Sequence, residues 1–211
     1  MTWQPRLPSE IEAESFRRIE AQVGPHHLPP EVWFVVRRMI HTSADPEYLA
    51  AARIHPAAIT AGVEALRRGC PVATDTRMLL AGISTGRLDR LGVTAFCLMD
   101  DPEVAEEAAR RGTTRAEVAM ERSLPKLAGG IVAIGNAPTA LLRLLELLAA
   151  GAPPPALVVG VPVGFVNAAE SKDALARQDC PYITALGPKG GSALAASIVN
   201  ALAIMALEVP S

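Results

Sequence analysis

The chain has 211 residues, half of them hydrophobic, a formal net charge of -2 and an aromatic fraction of 4%. That length suits a single domain over 1–211 and argues against two full ones. The balanced charge excludes a strong basic field for nucleic acid or an anionic membrane, and so few rings exclude a platform of stacked bases.

The first helix signal is Ser9-Glu10-Ile11-Glu12, where Ser9 and Glu12 fit a capping box after Pro8. This helix carries Ile11, Phe16 and Ile19 and ends near Gly24-Pro25. Pro29-Pro30 opens a second helix, with Val32, Val36, Met39 and Ile40 as its apolar stripe, running into His41-Thr42-Ser43. From about residue 55 the pattern alternates. Pro56 to Arg68 reads as helix, Val72-Ala73-Thr74 as strand, and Thr76 to Leu80 as a helical turn after Asp75. Val93 to Leu98 is a strand, Asp101-Pro102 starts a helix ending at Gly112, and Thr114 and Glu117 cap another that reaches about Leu127.

Two segments of like build follow. Gly130 to Ile134 runs into Gly135-Asn136-Ala137-Pro138-Thr139, then a leucine-rich helix. Ala156 to Val159 runs into Gly160-Val161-Pro162-Val163-Gly164-Phe165-Val166-Asn167, then Ala168-Ala169-Glu170-Ser171-Lys172. Each reads as a buried strand, an uncharged Gly/Pro/Asn loop and a helix start. Such loops let backbone approach a ligand, and helix N-termini suit anionic oxygens. Tyr182 to Ala185 is a last strand, and Gly190-Gly191-Ser192 starts the last helix. Five strands alternating with helices predict a parallel sheet covered on both faces, with ligands beyond the strands' carboxyl ends. Asp75, Asn136, Gly164 and the Lys189 loop are expected there. The two N-terminal helices are additions, free to cover that end or to join a partner subunit.

Cys70, Cys97 and Cys180 lie far apart, so neither a disulfide framework nor a zinc ribbon is signalled, and Cys97 reads as a small core residue. Met1 to Arg6 carries no apolar leader region, and the apolar run Ala193–Leu207 is short for a membrane span, so a soluble cytoplasmic protein is expected.

His41 is the foremost chemical candidate, because histidine gives and takes a proton near neutral pH. It also reads as a polar cap on its helix end. Arg38 shares a helix face with it and suits a carboxylate, or is a surface arginine. Ser15 is a mid-helix serine, a type that commonly bonds its own backbone. Asp75 reads as a site residue or as the cap of the following turn. Lys189 stands beside a glycine-rich helix start that suits an anion, although the phosphate-loop order is absent. His26-His27 reads as a solvated loop, since no third metal ligand has useful spacing, and His55 as structural.

Arg38-Met39-Ile40-His41-Thr42, Gly135-Asn136-Ala137-Pro138-Thr139-Ala140-Leu141 and Gly160 to Lys172 together resemble precorrin-8X methylmutase and its cobalt-precorrin-8 counterpart, over nearly the whole chain. The resemblance implies a flavodoxin-like three-layer α/β/α fold and a homodimer with active sites near the interface. It implies a cobalamin-pathway isomerase that moves a methyl group from C-11 to C-12 of the corrinoid, with no cofactor. The family's catalytic histidine falls on His41, its substrate-contacting serine and arginine on Ser15 and Arg38, and its Lys-Gly-Gly-Ser pattern on Lys189 to Ser192. Asn136 and Lys189 join these as expected substrate contacts. The competing class is a non-catalytic corrinoid- or nucleotide-binding protein of the same fold, which needs the anion-binding loops but no proton donor.

Overall fold

The computed structural model describes residues 7–127 and 129–208; Met1 to Arg6, read above for the lack of a leader, lie outside them. The helices are α1 (Pro8–Val23), α2 (Pro30–Ser43), α3 (Tyr48–Ala51), α4 (Ala58–Arg67), α5 (Arg77–Gly82), α6 (Thr85–Leu91), α7 (Pro102–Arg111), α8 (Arg115–Ser123), α9 (Pro138–Ala149), α10 (Ala168–Leu175) and α11 (Ser192–Leu207). The strands are β1 (Ala52–Ile54), β2 (Val72–Thr74), β3 (Ala95–Phe96), β4 (Ile131–Ile134), β5 (Leu157–Gly160) and β6 (Tyr182–Ala185).

The sheet has six strands in the order β1-β6-β5-β4-β2-β3. All neighbours are parallel except β1, which pairs antiparallel with β6. Without β1, the order is that of a flavodoxin-like sheet. The expected five strands are therefore present, and a sixth is added at the edge. Ala52-Arg53-Ile54 alternates over only three residues and follows a single helical turn, too short a signal to announce its pairing with Ile183–Ala185. The third strand is shorter than Val93–Leu98, and α6 was not read from sequence at all.

Every residue of β4 and β5 is buried, as their unbroken apolar runs require between two helical layers. One layer holds α4, α5, α6 and α11, and the other holds α8, α9 and α10. α11 is apolar around most of its circumference because it is enclosed, with the sheet on one side and α2 on the other. Its apolar run is thus core, and among the described residues no helix is long and apolar enough to cross a membrane. Cys97 is only half-buried.

Of the two N-terminal helices, α1 packs against α2, and α2 lies on this chain's own α11. Val35, Val36, Met39 and Ile40 of α2 are buried there, a face worth roughly 1.5–3 kcal/mol per fully buried side chain. α1 starts one residue before Ser9: the Glu10 carboxylate, not Glu12, accepts the Leu7 N–H at 3.1 Å. Glu12 is thereby left for α2.

Candidate active site

α1 and α2 bring together residues 26 positions apart. Ser15 Oγ lies 2.8 Å from His41 Nδ1, so the serine is not an incidental surface hydroxyl. When Ser15 donates, the neutral imidazole carries its proton on Nε2, the nitrogen with no partner among the described residues. The Phe16 ring meets His41 edge-on at 5.3 Å and holds the ring's orientation from the other side. Arg38 donates to Glu12 at 3.3 Å and lies over the rings of Phe16 and Phe34. Arg38 Nε is buried without a partner among the described residues, so the guanidinium keeps donor capacity. Arg37 points the other way, to Glu20 at 2.6 Å, with its guanidinium over Phe16.

His41 and Arg38 open onto a cleft of about 420 Å³ between α1 and α2 on one side and α5 and α6 on the other. Its floor is the outer face of α11, where Ala193, Ala196 and Ser197 are small enough to admit a flat ligand. Gly82 lets α5 sit against that face, since a Cβ there would lie 2.9 Å from Ala196 Cβ. Asn200 braces the far wall, accepting from Ser84 N and donating to Gly82 O. Arg87 of α6 also lines the cleft, and its side chain has no partner among the described residues. Sequence reasoning missed Arg87 because its short helix carries no apolar stripe. Glu12 and Phe16 were missed because their roles arise only across helices.

The carboxyl end of the sheet is built differently. Asp75 accepts from the amides of Gly135 (3.0 Å), Asn136 (2.7 Å) and Ala137 (2.8 Å). Burial pushes its carboxyl up from the ordinary value, and those three amide bonds pull it back down. It is not the cap of α5; that role belongs to Thr76, whose Oγ accepts from Leu79 N. The Asn136 side chain is exposed at this edge, while its amide is committed to Asp75.

Lys189 lies in the loop between β6 and α11, and its Nζ is 2.6 Å from Asp45 and 2.8 Å from Glu47, just beyond α2. Behind it, Lys172 is wholly buried and donates to the Lys189 carbonyl at 2.6 Å. Desolvation lowers this amine to about 8, with Asp173 acting weakly against it. Neither Asp75 nor Lys172 declares its partner in the sequence, because each partner is a backbone group from another element.

Elsewhere the chemistry is thin. A slightly larger cleft of about 460 Å³ lies at the amino end of the strands, walled by Leu124, Leu127, Leu147 and Pro153–Pro155. Its acid, Glu121, is already paired with Arg111 and Arg143. His26 packs on Trp33, and His55 Nδ1 accepts from Ala57 N, so both are structural. Among the described residues no group of His, Cys, Asp and Glu could hold a metal ion.

The precorrin-8X methylmutase family profile matches residues 10–205. The cobalt-precorrin-8 methylmutase of Priestia megaterium is 44% identical over 94% of this chain and 88% of its own length. The precorrin-8X methylmutase of Pseudomonas aeruginosa is 42% identical, with 92% of this chain and 93% of that protein covered. A solved precorrin-8X methylmutase from Thermus thermophilus superposes with a TM-score of 0.84 at 44% identity, covering 93% of this chain and 96% of the other. The histidine cleft over α11 is thus set in a fold and a sequence shared with these enzymes over most of the chain, and the chain belongs to the precorrin-8X methylmutase family.

Proposed function

We propose that this protein is the isomerase that moves the C-11 methyl group of precorrin-8X, or of cobalt-precorrin-8, to C-12 in cobalamin biosynthesis. Its product is hydrogenobyrinic acid, or its cobalt form. The carrying observation is His41, held at Nδ1 by Ser15, with Nε2 unpartnered among the described residues, lining a cleft with two arginines. A suprafacial 1,5-shift needs no nucleophile; it needs one tautomer of the conjugated ring. Protonated on both nitrogens, His41 donates Nδ1–H to Ser15 Oγ and places its Nε2 proton on or near the ring-C nitrogen, which leaves neutral imidazole to take the proton back after the shift; such general acid help is typically worth roughly 10²–10⁴-fold. Arg38 and Arg87 take carboxylate arms of the macrocycle, and the small residues of α11 face its plane. Asn136 is a further contact at the carboxyl edge.

The working unit is a cytoplasmic homodimer. A cleft of about 420 Å³ sits toward the small end of ligand pockets, ~300–1,000 Å³, and a tetrapyrrole with several acetate and propionate arms overfills it. A second copy supplies the missing wall, two-fold pairs being the commonest assembly. The test is His41→Ala, which keeps the fold and binds the coloured corrinoid product while methyl migration falls by about 10²–10⁴-fold. Wild-type turnover in that variant removes His41 from the mechanism and favours a binding role for the cleft.

A further inference from the structure

Lys189 is held from two sides. From below, the buried Lys172 amine grips its carbonyl at 2.6 Å. From above, its own ammonium joins Asp45 at 2.6 Å and Glu47 at 2.8 Å. The loop between cannot shift easily. Gly191 N donates to Val161 O, Gly164 N donates to Pro188 O, and a Cβ on Gly190 would collide with the Val161 carbonyl.

Asp45 in turn belongs to the stop of α2. Ala44 takes the left-handed conformation at φ 55°. Ser43 Oγ donates to Met39 O and accepts from Asp45 N, and Asp45 Oδ1 accepts from Glu47 N. One turn upstream of this stop sits His41. The side chain of Lys189 is half-exposed and that of Glu47 largely so, and exposed pairs of this kind add little to stability. What the pair does have is geometry: two carboxylates from one helix stop converge on one ammonium whose backbone is pinned from the core.

We infer that Lys189 is a positioning residue that locks the end of α2, and with it His41, to the loop before α11, and does not bind a substrate carboxylate. Lys172 is the buried anchor of the same clasp. The inference rests on the catalytic reading of His41.

The test compares wild type with Lys189→Met, Lys189→Arg and the double variant Asp45→Asn/Glu47→Gln. Two quantities are read: kcat and KM for methyl migration on the corrinoid substrate, and the nitrogen-edited NMR signals of the His41 ring. Lys189→Met is expected to lower kcat about tenfold with KM within about twofold, since a small displacement of an acid reduces rate more than binding. The double variant shows the same drop, and adding Lys189→Met to it lowers kcat no further, as members of one network are non-additive. Lys189→Arg restores most of the rate. The His41 signals move in the Met and double variants and return in the Arg variant. A raised KM with unchanged kcat in Lys189→Met, absent from the double variant, overturns the clasp and makes Lys189 a substrate ligand. If wild type does not turn over the corrinoid, the functional reading fails separately. The His41 signals then decide alone: unmoved in Lys189→Met they overturn the clasp, and moved they support it.

Discussion

In the loop after β4, three successive amides from Gly135 to Ala137 converge on the Asp75 carboxylate. In the loop after β5, Phe165 is 100% exposed, Val166 is largely and Val163 partly exposed, and Asn167 is held left-handed at φ 61°. The two loops have the same build in sequence: buried strand, uncharged Gly/Asn turn, helix. One is closed by the protein's own anion, and the other is open. Even their strand-end glycines serve packing. A Cβ at Gly135 would lie 2.6 Å from Ser192 Cα, and one at Gly160 would lie 2.5 Å from the Leu175 side chain. A glycine-rich loop at a helix start therefore announces close approach, but not of what. After β4 the approaching group is a carboxylate 60 residues away, which takes the place of a ligand at the switch point between the paired strands β2 and β4, where the strand order reverses.

Asp75→Asn breaks the closed loop with the largest expected effect. An amide has one oxygen where the carboxylate has two, so its NH₂ would face either the Gly135 N–H or the N–H groups of Asn136 and Ala137. The loss is about 3–5 kcal/mol, the range for unpairing a buried charged network, measured as a shift in the urea midpoint. A change below about 1 kcal/mol would show that the loop holds its shape without Asp75 and would erase the distinction between the two loops.

The helix that follows the open loop carries Lys172, the anchor of the Lys189 loop, and this anchor is sensitive to pH. Burial lowers the amine from 10.5 to about 8. Below about pH 8 both folded and unfolded chains carry the proton, and the full cost of burying the charge is present. Between about pH 8 and pH 10.5 the unfolded chain binds more protons, so stability rises with pH. The rise relative to Lys172→Met is roughly 3 kcal/mol over that window. Parallel pH series of denaturant midpoints for the two proteins check this. Curves of equal slope would mean that the amine is hydrated and is not the anchor proposed above.

The legible parts of the fold were those with local signals. The Thr114–Glu117 capping box, the Pro102 helix start and the unbroken apolar runs of β4 and β5 each depend on neighbours in sequence. What escaped depends on distant backbone. β1 exists because β6 offers an edge, and α6 because Asn200 accepts from Ser84 N across 116 residues. The site divides in the same way. His41 and Arg38 share a helix face and could be read from spacing alone. That Ser15 holds His41, that Glu12 pairs with Arg38 and that Arg87 enters the cleft are facts of helix packing.

Phe165→Ser tests the open loop itself. The side chain touches little in this chain, so the urea midpoint should stay within about 0.5 kcal/mol, as for other exposed substitutions. Binding should not be so indifferent. If the loop meets the apolar face of the macrocycle, the phenyl ring is buried on binding, and its loss weakens the product complex by roughly 1.5–3 kcal/mol. Titration of the corrinoid product, with light scattering on the same samples, separates the two ways an exposed ring can be used. Weaker product binding by an intact dimer supports contact with the macrocycle. A variant that falls to monomer assigns Phe165 to the subunit interface and makes any loss of affinity indirect. A dimer that binds product as wild type does leaves the ring outside both surfaces, and the contrast between the loops would then concern folding alone.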